Sequence, residues 1–599
     1  MGGVVAGLGL WKETAWAQSA SARQATAVLS GTDFDLHLGE TLVDFTGSPK
    51  IAHTVNGSLP APILRWREGD TVTLRASNRF RDDYASIHWH GILLPANMDG
   101  VPGLSFNGIA PGETYVYRFT VKQGGTYWYH SHSAFQEQLG LYGALIIEPR
   151  QPEPFRYDRE HVVLLTDWTD EDPARLFAKL KKQSDYYNFH QRTVGDFFRD
   201  VRTHGLGATL SERAAWGKMR MTPTDLADVS GYTYTYLMNG TAPAGNWTGL
   251  FKPGERVRLR FINGSSMTYF DVRIPGLKMT VVAADGQNVH PVSVDEFRIA
   301  VAETFDVIVE PSGQDAFTIF AQSMDRTGYA RGTLAVREGL SALVPEPDPR
   351  PLLTMADMGH GGMGRDTSAR GTAAGAAVAK PADPHAGHTM PPQKPATPDP
   401  HAGHTAPPQK PQAPDPHAGH AMGADMQAHP DSEEGNPLVD MQTMTPASRL
   451  DDPGIGLRDN GRRVLTYADL RSLFEDPDGR EPSRTIELHL TGHMERFAWS
   501  FDGLKFSDAA PIELTYGERL RIVLVNDTMM THPIHLHGMW SDLEDDQGQF
   551  HVRKHTIDMP PGTKRSYRVR ADALGRWAYH CHLLLHMEAG MFREVRVEE

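Results

Sequence analysis

The chain has 599 residues, of which 40% are hydrophobic and 22% are charged, as expected for a globular protein of several domains. Its net charge of −15 argues against a nucleic acid partner, and no apolar run is long enough for an integral membrane protein. The single cysteine, Cys581, excludes intramolecular disulfides, multi-thiolate zinc sites and cysteine-ligated iron–sulfur clusters. By contrast, 28 histidines and 23 methionines indicate metal chemistry.

Residues 1–30 are interpreted as an export signal and tail. Small and apolar residues from Gly2 to Trp11 precede Ala15-Trp16-Ala17, which is typical of a signal-peptidase site. The positively charged start of such a signal is missing, so we expect a truncated beginning. A disordered or weakly helical tail is the alternative.

One pattern recurs three times: a turn glycine, a stretch of alternating polar and apolar residues, and an asparagine nine positions after the glycine. Such alternation predicts a half-buried β-strand after a turn. The copies run from Gly69 to Asn78, from Gly254 to Asn263 and from Gly517 to Asn526. We therefore predict an all-β chain of three related sandwich or Greek-key barrel units, with a partly helical insertion at 174–230 in the second unit.

Residues 346–450 differ in composition from the rest of the chain. They are rich in Pro, Ala, Gly, His and Met, and the motif Asp383-Pro384-His385-Ala386-Gly387-His388 recurs at Asp399 and Asp415. Such a segment has too few apolar residues to offset its chain entropy. We predict a low-complexity linker that is disordered or extended.

Four histidine motifs lie in the first and third units. They are His88-Trp89-His90, His130-Ser131-His132, His532-Pro533-Ile534-His535-Leu536-His537 and His580-Cys581-His582. Residues two apart on a strand face the same side, so each His-x-His pair directs two imidazoles to one point. One such pair is weak evidence, because histidine pairs are common in cores and on surfaces. Four pairs indicate a metal cluster.

Cys581 lies between two histidines and therefore faces away from their imidazoles. With His586, Met591 and one further histidine it can form a His₂Cys site with a weak axial thioether, the blue-copper arrangement. Eight imidazoles remain for the opposite face, enough for three metal ions. A one-electron site joined through one backbone step to such a cluster suits the reduction of dioxygen to water.

The four motifs resemble those of the three-domain multicopper oxidases. The resemblance implies three cupredoxin-like domains at 31–150, 151–345 and 451–599, and four copper ions. It assigns His532, Cys581, His586 and axial Met591 to the type 1 copper, and His88 and His535 to the type 2 copper. It assigns His90, His130 and His582 to one type 3 copper, and His132, His537 and His580 to the other.

In this family an acid near the three-copper cluster supplies protons. Asp99, in Asn97-Met98-Asp99-Gly100, is the candidate, with a simple turn aspartate as the alternative. The family's ferroxidases place a carboxylate beside a type 1 histidine. Here Leu583-Leu584-Leu585 occupies that loop, which argues against iron as the substrate.

Two stretches, 351–358 and 449–460, are similar to the bacterial copper-resistance oxidases of the CopA type. This narrower resemblance implies export to the periplasm by the twin-arginine route. It also implies dioxygen and Cu(I) as substrates and a periplasmic copper carrier as a partner.

The linker is then interpreted as a copper-handling tract, because thioethers select Cu(I) and imidazoles bind Cu(I) or Cu(II). Its candidate ligands are Met355, Met358, His360, Met363, Met441, Met444, His385, His388, His401, His404, His417 and His420. A linker whose histidines bind nothing specific is the alternative. A separate soft site from His489, His493 and Met494 is a further, less favoured idea.

From the motifs and this resemblance we expect the chain to oxidise Cu(I) to Cu(II) and to reduce dioxygen to water in copper resistance. A laccase-like phenol oxidase would share every copper ligand and is the first alternative. A copper-sequestering or delivery protein, with the linker as its functional part, is the second. A two-domain copper nitrite reductase fits poorly, because such enzymes lack the full set of four motifs.

Overall fold

The computed structural model describes residues 26–360 and 426–599. In these ranges the chain forms six β-sheets, arranged as three consecutive pairs along the sequence. This confirms the all-β prediction. None of the helices in the described ranges has the length and apolar character needed to span a membrane.

The first pair of sheets spans residues 28–148 and carries the first two histidine motifs. The sheet orders are β1-β4-β9-β8-β6 and β3-β2-β5-β7. The strands are β1 (Val28–Ser30), β2 (Asp33–Val43), β3 (Lys50–Val55), β4 (Ala61–Arg67), β5 (Thr71–Asn78), β6 (His88–His90), β7 (Thr114–Thr120), β8 (Gly125–His130) and β9 (Tyr142–Glu148).

The second pair spans residues 159–335, with orders β11-β10-β13-β18-β15-β16 and β12-β20-β19-β14-β17. The strands are β10 (Arg159–Thr169), β11 (Tyr234–Met238), β12 (Trp247–Leu250), β13 (Val257–Asn263), β14 (Phe270–Arg273), β15 (Met279–Ala284), β16 (Gln287–Val294), β17 (Glu296–Ile299), β18 (Thr304–Val309), β19 (Ala316–Ser323) and β20 (Tyr329–Ala335). Between β10 and β11 lie α1 (Pro173–Leu180), α2 (Val194–His204) and α3 (Leu206–Lys218), at the position of the expected helical insertion.

The third pair spans residues 485–598, with orders β22-β21-β24-β29-β26-β27 and β23-β31-β30-β25-β28. These orders match those of the second pair strand for strand, as expected for an internal repeat. The elements are β21 (Thr485–His493), β22 (Ala498–Phe501), β23 (Ile512–Thr515), β24 (Arg519–Asn526), β25 (His532–Leu536), β26 (Ser541–Glu544), β27 (Phe550–Lys554), β28 (Thr556–Met559), β29 (Lys564–Arg570), β30 (Gly575–Cys581), α4 (Leu584–Glu588) and β31 (Phe592–Glu598).

The repeated asparagine performs the same task in all three copies. Asn526 is buried at the end of β24, where its amide nitrogen donates to the carbonyls of Met530 and Met559 and its oxygen accepts from the backbone of Thr528. Asn78 and Asn263 make the corresponding three bonds at the ends of β5 and β13. The asparagine thus satisfies the backbone of a sharp turn.

Neighbouring strands bring the histidine motifs together in pairs. Strand β6 lies antiparallel to β8, with His88 opposite His130. Strand β25 lies antiparallel to β30, with His535 opposite His580. The two motifs of each sheet pair therefore share one sheet.

The described ends of the predicted linker, 346–360 and 426–450, differ from the expectation of a disordered or extended segment. Residues 346–360 and 427–450 belong to the compact unit formed by the sheets. Leu353, Met358 and Met441 are buried in the hydrophobic core. The apolar residues at both ends are buried against the sheets. The average composition of 346–450 did not predict this, because the apolar residues lie at the ends of the segment.

Candidate metal centre

Three donor atoms from the third sheet pair converge at one buried point. The Sγ atom of Cys581 lies 3.5 Å from Nδ1 of His532 and 3.8 Å from Nδ1 of His586. The two nitrogens are 3.1 Å apart. Met591 is fully buried, and its carbonyl accepts a hydrogen bond from the Cys581 backbone, so all four residues assigned to the type 1 copper lie together.

The opposite nitrogens of these two imidazoles have partners of their own. Nε2 of His532 lies 2.8 Å from the Thr528 hydroxyl, and Nε2 of His586 lies 2.8 Å from a carboxylate oxygen of Asp228. Trp499 stacks on the His586 ring. Such partners fix the ring orientation and turn both Nδ1 atoms toward the thiol, as in metal sites whose imidazoles are held from behind.

The remaining eight predicted histidines form a second cluster at the junction of the first and third sheet pairs. Several sets of three place one donor atom each within 4.8 Å of one another. These sets are His88, His90 and His130; His88, His535 and His537; and His132, His537 and His580. His582 lies between the rings of His90 and His130, with centroids 4.8 Å and 5.0 Å away.

The chemistry of this cluster fits metal ions. Nδ1 of His88 donates to the Asp99 carbonyl and Nδ1 of His535 to the His555 carbonyl, so each Nε2 carries a lone pair. Burial lowers the pKa of His130 and His535 well below the ordinary value, which keeps these rings neutral. Among the eight histidines, the buried nitrogens without a hydrogen-bond partner are Nε2 of His88, His130 and His535, Nδ1 of His90 and both ring nitrogens of His582. Unpartnered buried lone pairs in this number require a ligand, and metal ions meet that requirement.

Two buried carboxylates touch the cluster. Oδ2 of Asp99 lies 2.8 Å from Nδ1 of His537, so the predicted proton donor is in direct contact with the imidazoles. Oε2 of Glu137 lies 2.6 Å from Nδ1 of His130, and burial raises the pKa of Glu137 well above its ordinary value. Sequence reasoning missed Glu137, because nothing in its local pattern marks it.

His555 and Asp228 were missed as well. Nδ1 of His555 lies 3.2 Å from Nε2 of His90, and His555 forms a donor set with His90 and His535. Its sequence context is a single histidine outside any His-x-His pair. Asp228 lies in the second unit, far in sequence from His586, and only the fold brings them together.

Multicopper oxidase family models match residues 38–152, 159–339 and 479–599 of the chain. The chain belongs to the multicopper oxidase family. The oxidase is 68% identical to copper resistance protein A of Escherichia coli over 599 residues, covering 100% of this chain and 98% of that protein. It is 69% identical to copper resistance protein A of Pseudomonas syringae pv. tomato over 597 residues, covering 100% and 97%.

Solved structures share the fold of the oxidase. The structure of Fet3p, a multicopper oxidase that functions in iron import, matches with a TM-score of 0.62 at 18% identity, covering 95% of this chain and 91% of that chain. The family models and the copper resistance relatives confirm the resemblance to multicopper oxidases and to the copper-resistance oxidases. Copper is the cofactor of the family, and the oxidase is an oxidoreductase.

The residues proposed for extra copper divide into two groups. Met355 and Met444 are half-buried and Met358 and Met441 are buried, so these four also serve packing. His360 is half-buried, with a buried Nε2 that has no hydrogen-bond partner. Outside the described residues lie Met363, His385, His388, His401, His404, His417 and His420, and most of the predicted export signal.

Proposed function

We propose that this oxidase converts Cu(I) to Cu(II) and reduces dioxygen to water in copper resistance. Four cuprous ions each give one electron, and one dioxygen takes four electrons and four protons to form two water molecules. The observation that carries the choice of Cu(I) is the group of methionines beside Asp228, whose carboxylate lies 2.8 Å from Nε2 of His586. The loop sequence alone predicted no carboxylate beside a type 1 histidine, and this was wrong because Asp228 comes from the second sheet pair.

The surroundings of Asp228 suit a soft cation. A cavity beside it is lined by Met267, Met324, Met530 and Asp325. Thioethers select Cu(I), and carboxylates attract any cation. Burial raises the pKa of Asp225 well above its ordinary value, and the negative charge of neighbouring Asp228 adds to the shift.

We propose the copper ligands as the motifs assign them: His532, Cys581, His586 and Met591 for type 1, His88 and His535 for type 2, and the two sets of three histidines for type 3. Bound copper ions supply one-electron transfer and the reduction of dioxygen. Hydrogen bonds from Nδ1 to backbone carbonyls orient the rings of His88 and His535. The chain also joins Cys581 to His580 and His582 by single backbone steps, a short covalent path for electrons.

Proton supply is assigned to Asp99. Its carboxylate is hydrogen-bonded to Nδ1 of His537, and its backbone carbonyl accepts a hydrogen bond from Nδ1 of His88. Asp99 therefore contacts both rings at the nitrogen opposite Nε2. A carboxyl group at this position can pass a proton toward the cluster without entering the ligand set. We propose Glu137 as a second carboxyl group of the same kind, beside His130.

The proposed setting is the periplasm, reached by the twin-arginine route, with a copper carrier as a partner. The support is the Ala15-Trp16-Ala17 pattern and the relation to copper resistance proteins. The histidine-rich tract between the described ranges would raise the local copper concentration.

Oxygen uptake by the copper-loaded protein tests the function. Cu(I) is offered as the only reductant, and 2,6-dimethoxyphenol is offered in a parallel assay. We expect rapid uptake with Cu(I), and loss of uptake in C581S, which keeps the side-chain volume but removes the thiolate. Uptake with the phenol alone would show a laccase. No uptake from visibly blue protein with either reductant would favour copper sequestration.

A further inference from the structure

A second group of metal-ligating side chains lies outside the copper centres. It consists of His429 and Glu433, which precede the third sheet pair, His489 on β21 and Asp527 directly after β24. The side chains of Glu433 and Asp527 are fully buried, and that of His489 is 1% exposed. We call this group the His/carboxylate site.

The donor atoms of this site face one another. Nδ1 of His429 lies 3.3 Å from Oε2 of Glu433 and 3.3 Å from Oδ2 of Asp527. Nδ1 of His489 lies 2.6 Å from Oδ2 of Asp527 and 3.6 Å from Oε1 of Glu433. Four nitrogen and oxygen donors around a zinc ion with bonds of about 2.0–2.1 Å are spaced roughly 3.3 Å apart. The four side chains need little movement to surround one ion.

The hydrogen bonds behind the donors orient them as in metal sites. Nε2 of His429 donates to the Thr443 carbonyl, 3.1 Å away, which leaves Nδ1 of the neutral ring as the atom that faces the carboxylates. Nε2 of His489 lies 3.3 Å from Glu487 on the same strand. Carboxylates and carbonyls hold metal-binding imidazoles in this way.

No lysine or arginine among the described residues balances the two carboxylates of the site, since neither Glu433 nor Asp527 forms an ion pair with one. Nδ1 of His429 and Oε1 of Glu433 are buried without a hydrogen-bond partner. Burial alone would lower the pKa of His429, but Asp527 and Glu433 raise it to about 10. Two buried carboxylates in this setting require a cation, either protons on the imidazoles or a metal ion.

We propose that His429, Glu433, His489 and Asp527 bind a divalent cation of the Zn²⁺ or Cu²⁺ class. Two imidazoles and two carboxylates without sulfur suit these ions and not Cu(I). This replaces the soft site from His489, His493 and Met494, because His493 pairs with Asp440 instead. The site joins the segment after residue 426 to the third sheet pair. It also lies next to Thr528, which contacts the type 1 ligand His532.

Equilibrium dialysis of the full-length, copper-loaded protein against Zn²⁺ tests the proposal. E433Q keeps the shape of the side chain and removes its charge, and E434Q makes the same change at the exposed neighbouring glutamate. Histidines elsewhere bind equally in all proteins. We expect wild type and E434Q to bind the same number of zinc ions, and E433Q to bind one fewer per chain.

Equal zinc counts in all three proteins would show that the group is an imidazolium–carboxylate pair and would overturn the proposal. If E433Q loses the blue colour of the type 1 copper through misfolding, H429Q at the less buried ligand gives the same comparison. A second readout uses Co²⁺ added to the anaerobically reduced protein. Wild type should gain the intense visible bands of four-coordinate cobalt, and the variant should not; identical spectra would contradict the site.

Discussion

Asp228 and His586, which are 358 positions apart in sequence, form a hydrogen bond of 2.8 Å. The carboxylate comes from the second sheet pair and the imidazole from the third, so the outer edge of the type 1 site is built by two repeats together. The second repeat lacks His-x-His pairs, yet it supplies the carboxylate that contacts His586.

The first prediction concerns this contact. D228N keeps the hydrogen bond to His586 but removes the charge that attracts a cation. We expect the KM for Cu(I) to rise at least tenfold, since losing a charged partner costs about 1.5–3 kcal/mol and about 1.4 kcal/mol is a factor of ten. Oxidation of the phenol should change much less. Steady-state oxygen uptake measures both, and D82N at an exposed aspartate controls for net charge. If oxygen uptake with Cu(I) and with the phenol fell equally, Asp228 would not bind the cation.

The second prediction concerns proton supply. D99N keeps a side chain of the same shape beside His537 but removes the carboxyl proton. We expect the turnover number to fall about 100-fold, a typical contribution of a positioned acid, with a greater loss at higher pH where the solvent supplies fewer protons. The blue absorption of the type 1 copper should be unchanged. An unaltered rate and pH profile would leave Asp99 as a turn residue.

The third prediction concerns the interface between the first two sheet pairs. Burial alone would raise the pKa of Glu160, but ion pairs with Arg260 and Arg65 lower it to about 2. Because the folded pKa lies below the unfolded value of about 4.5, this stabilisation is present above pH ~4.5 and is lost as the pH falls toward 2. It is on the order of 3 kcal/mol at neutral pH.

E160Q should therefore lower the urea midpoint strongly at pH 7 and only slightly near pH 2.5. Urea titrations at both pH values, followed by tryptophan fluorescence, measure the difference. A constant difference between the two proteins across this range would show that packing, not charge, is what the glutamate contributes.

The fourth prediction compares two equivalent asparagines, Asn263 and Asn526, to distinguish an effect on stability from an effect on the type 1 copper site. N263A removes three hydrogen bonds from a buried turn and N526A removes four, and we expect each to cost about 1–3 kcal/mol of stability. Only Asn526 positions Thr528, which holds His532. The type 1 absorption should therefore shift in N526A and stay unchanged in N263A. A shift in both, or in neither, would contradict this division of roles.

Much of the candidate site follows from local sequence pattern. A His-x-His pair on a strand directs both rings to one face whatever the rest of the fold does, so the motifs at His88, His130, His535 and His580 were sufficient to predict one cluster. The glycine-to-asparagine repeat likewise predicted equivalent strands, which the structure shows as β5, β13 and β24. Cys581, between two histidines, had to face the other side.

The partners behind the ligands depend on the tertiary structure. Asp228, Glu137 and His555 have no periodic pattern around them; each lies outside the strands and contacts a ring on another segment of the chain. The His/carboxylate site likewise joins residues from three separate segments. Strand periodicity determines which way a side chain points. Which residues a side chain contacts depends on how the sheets pack against one another. That packing is a property of the whole chain and cannot be predicted from short-range sequence pattern.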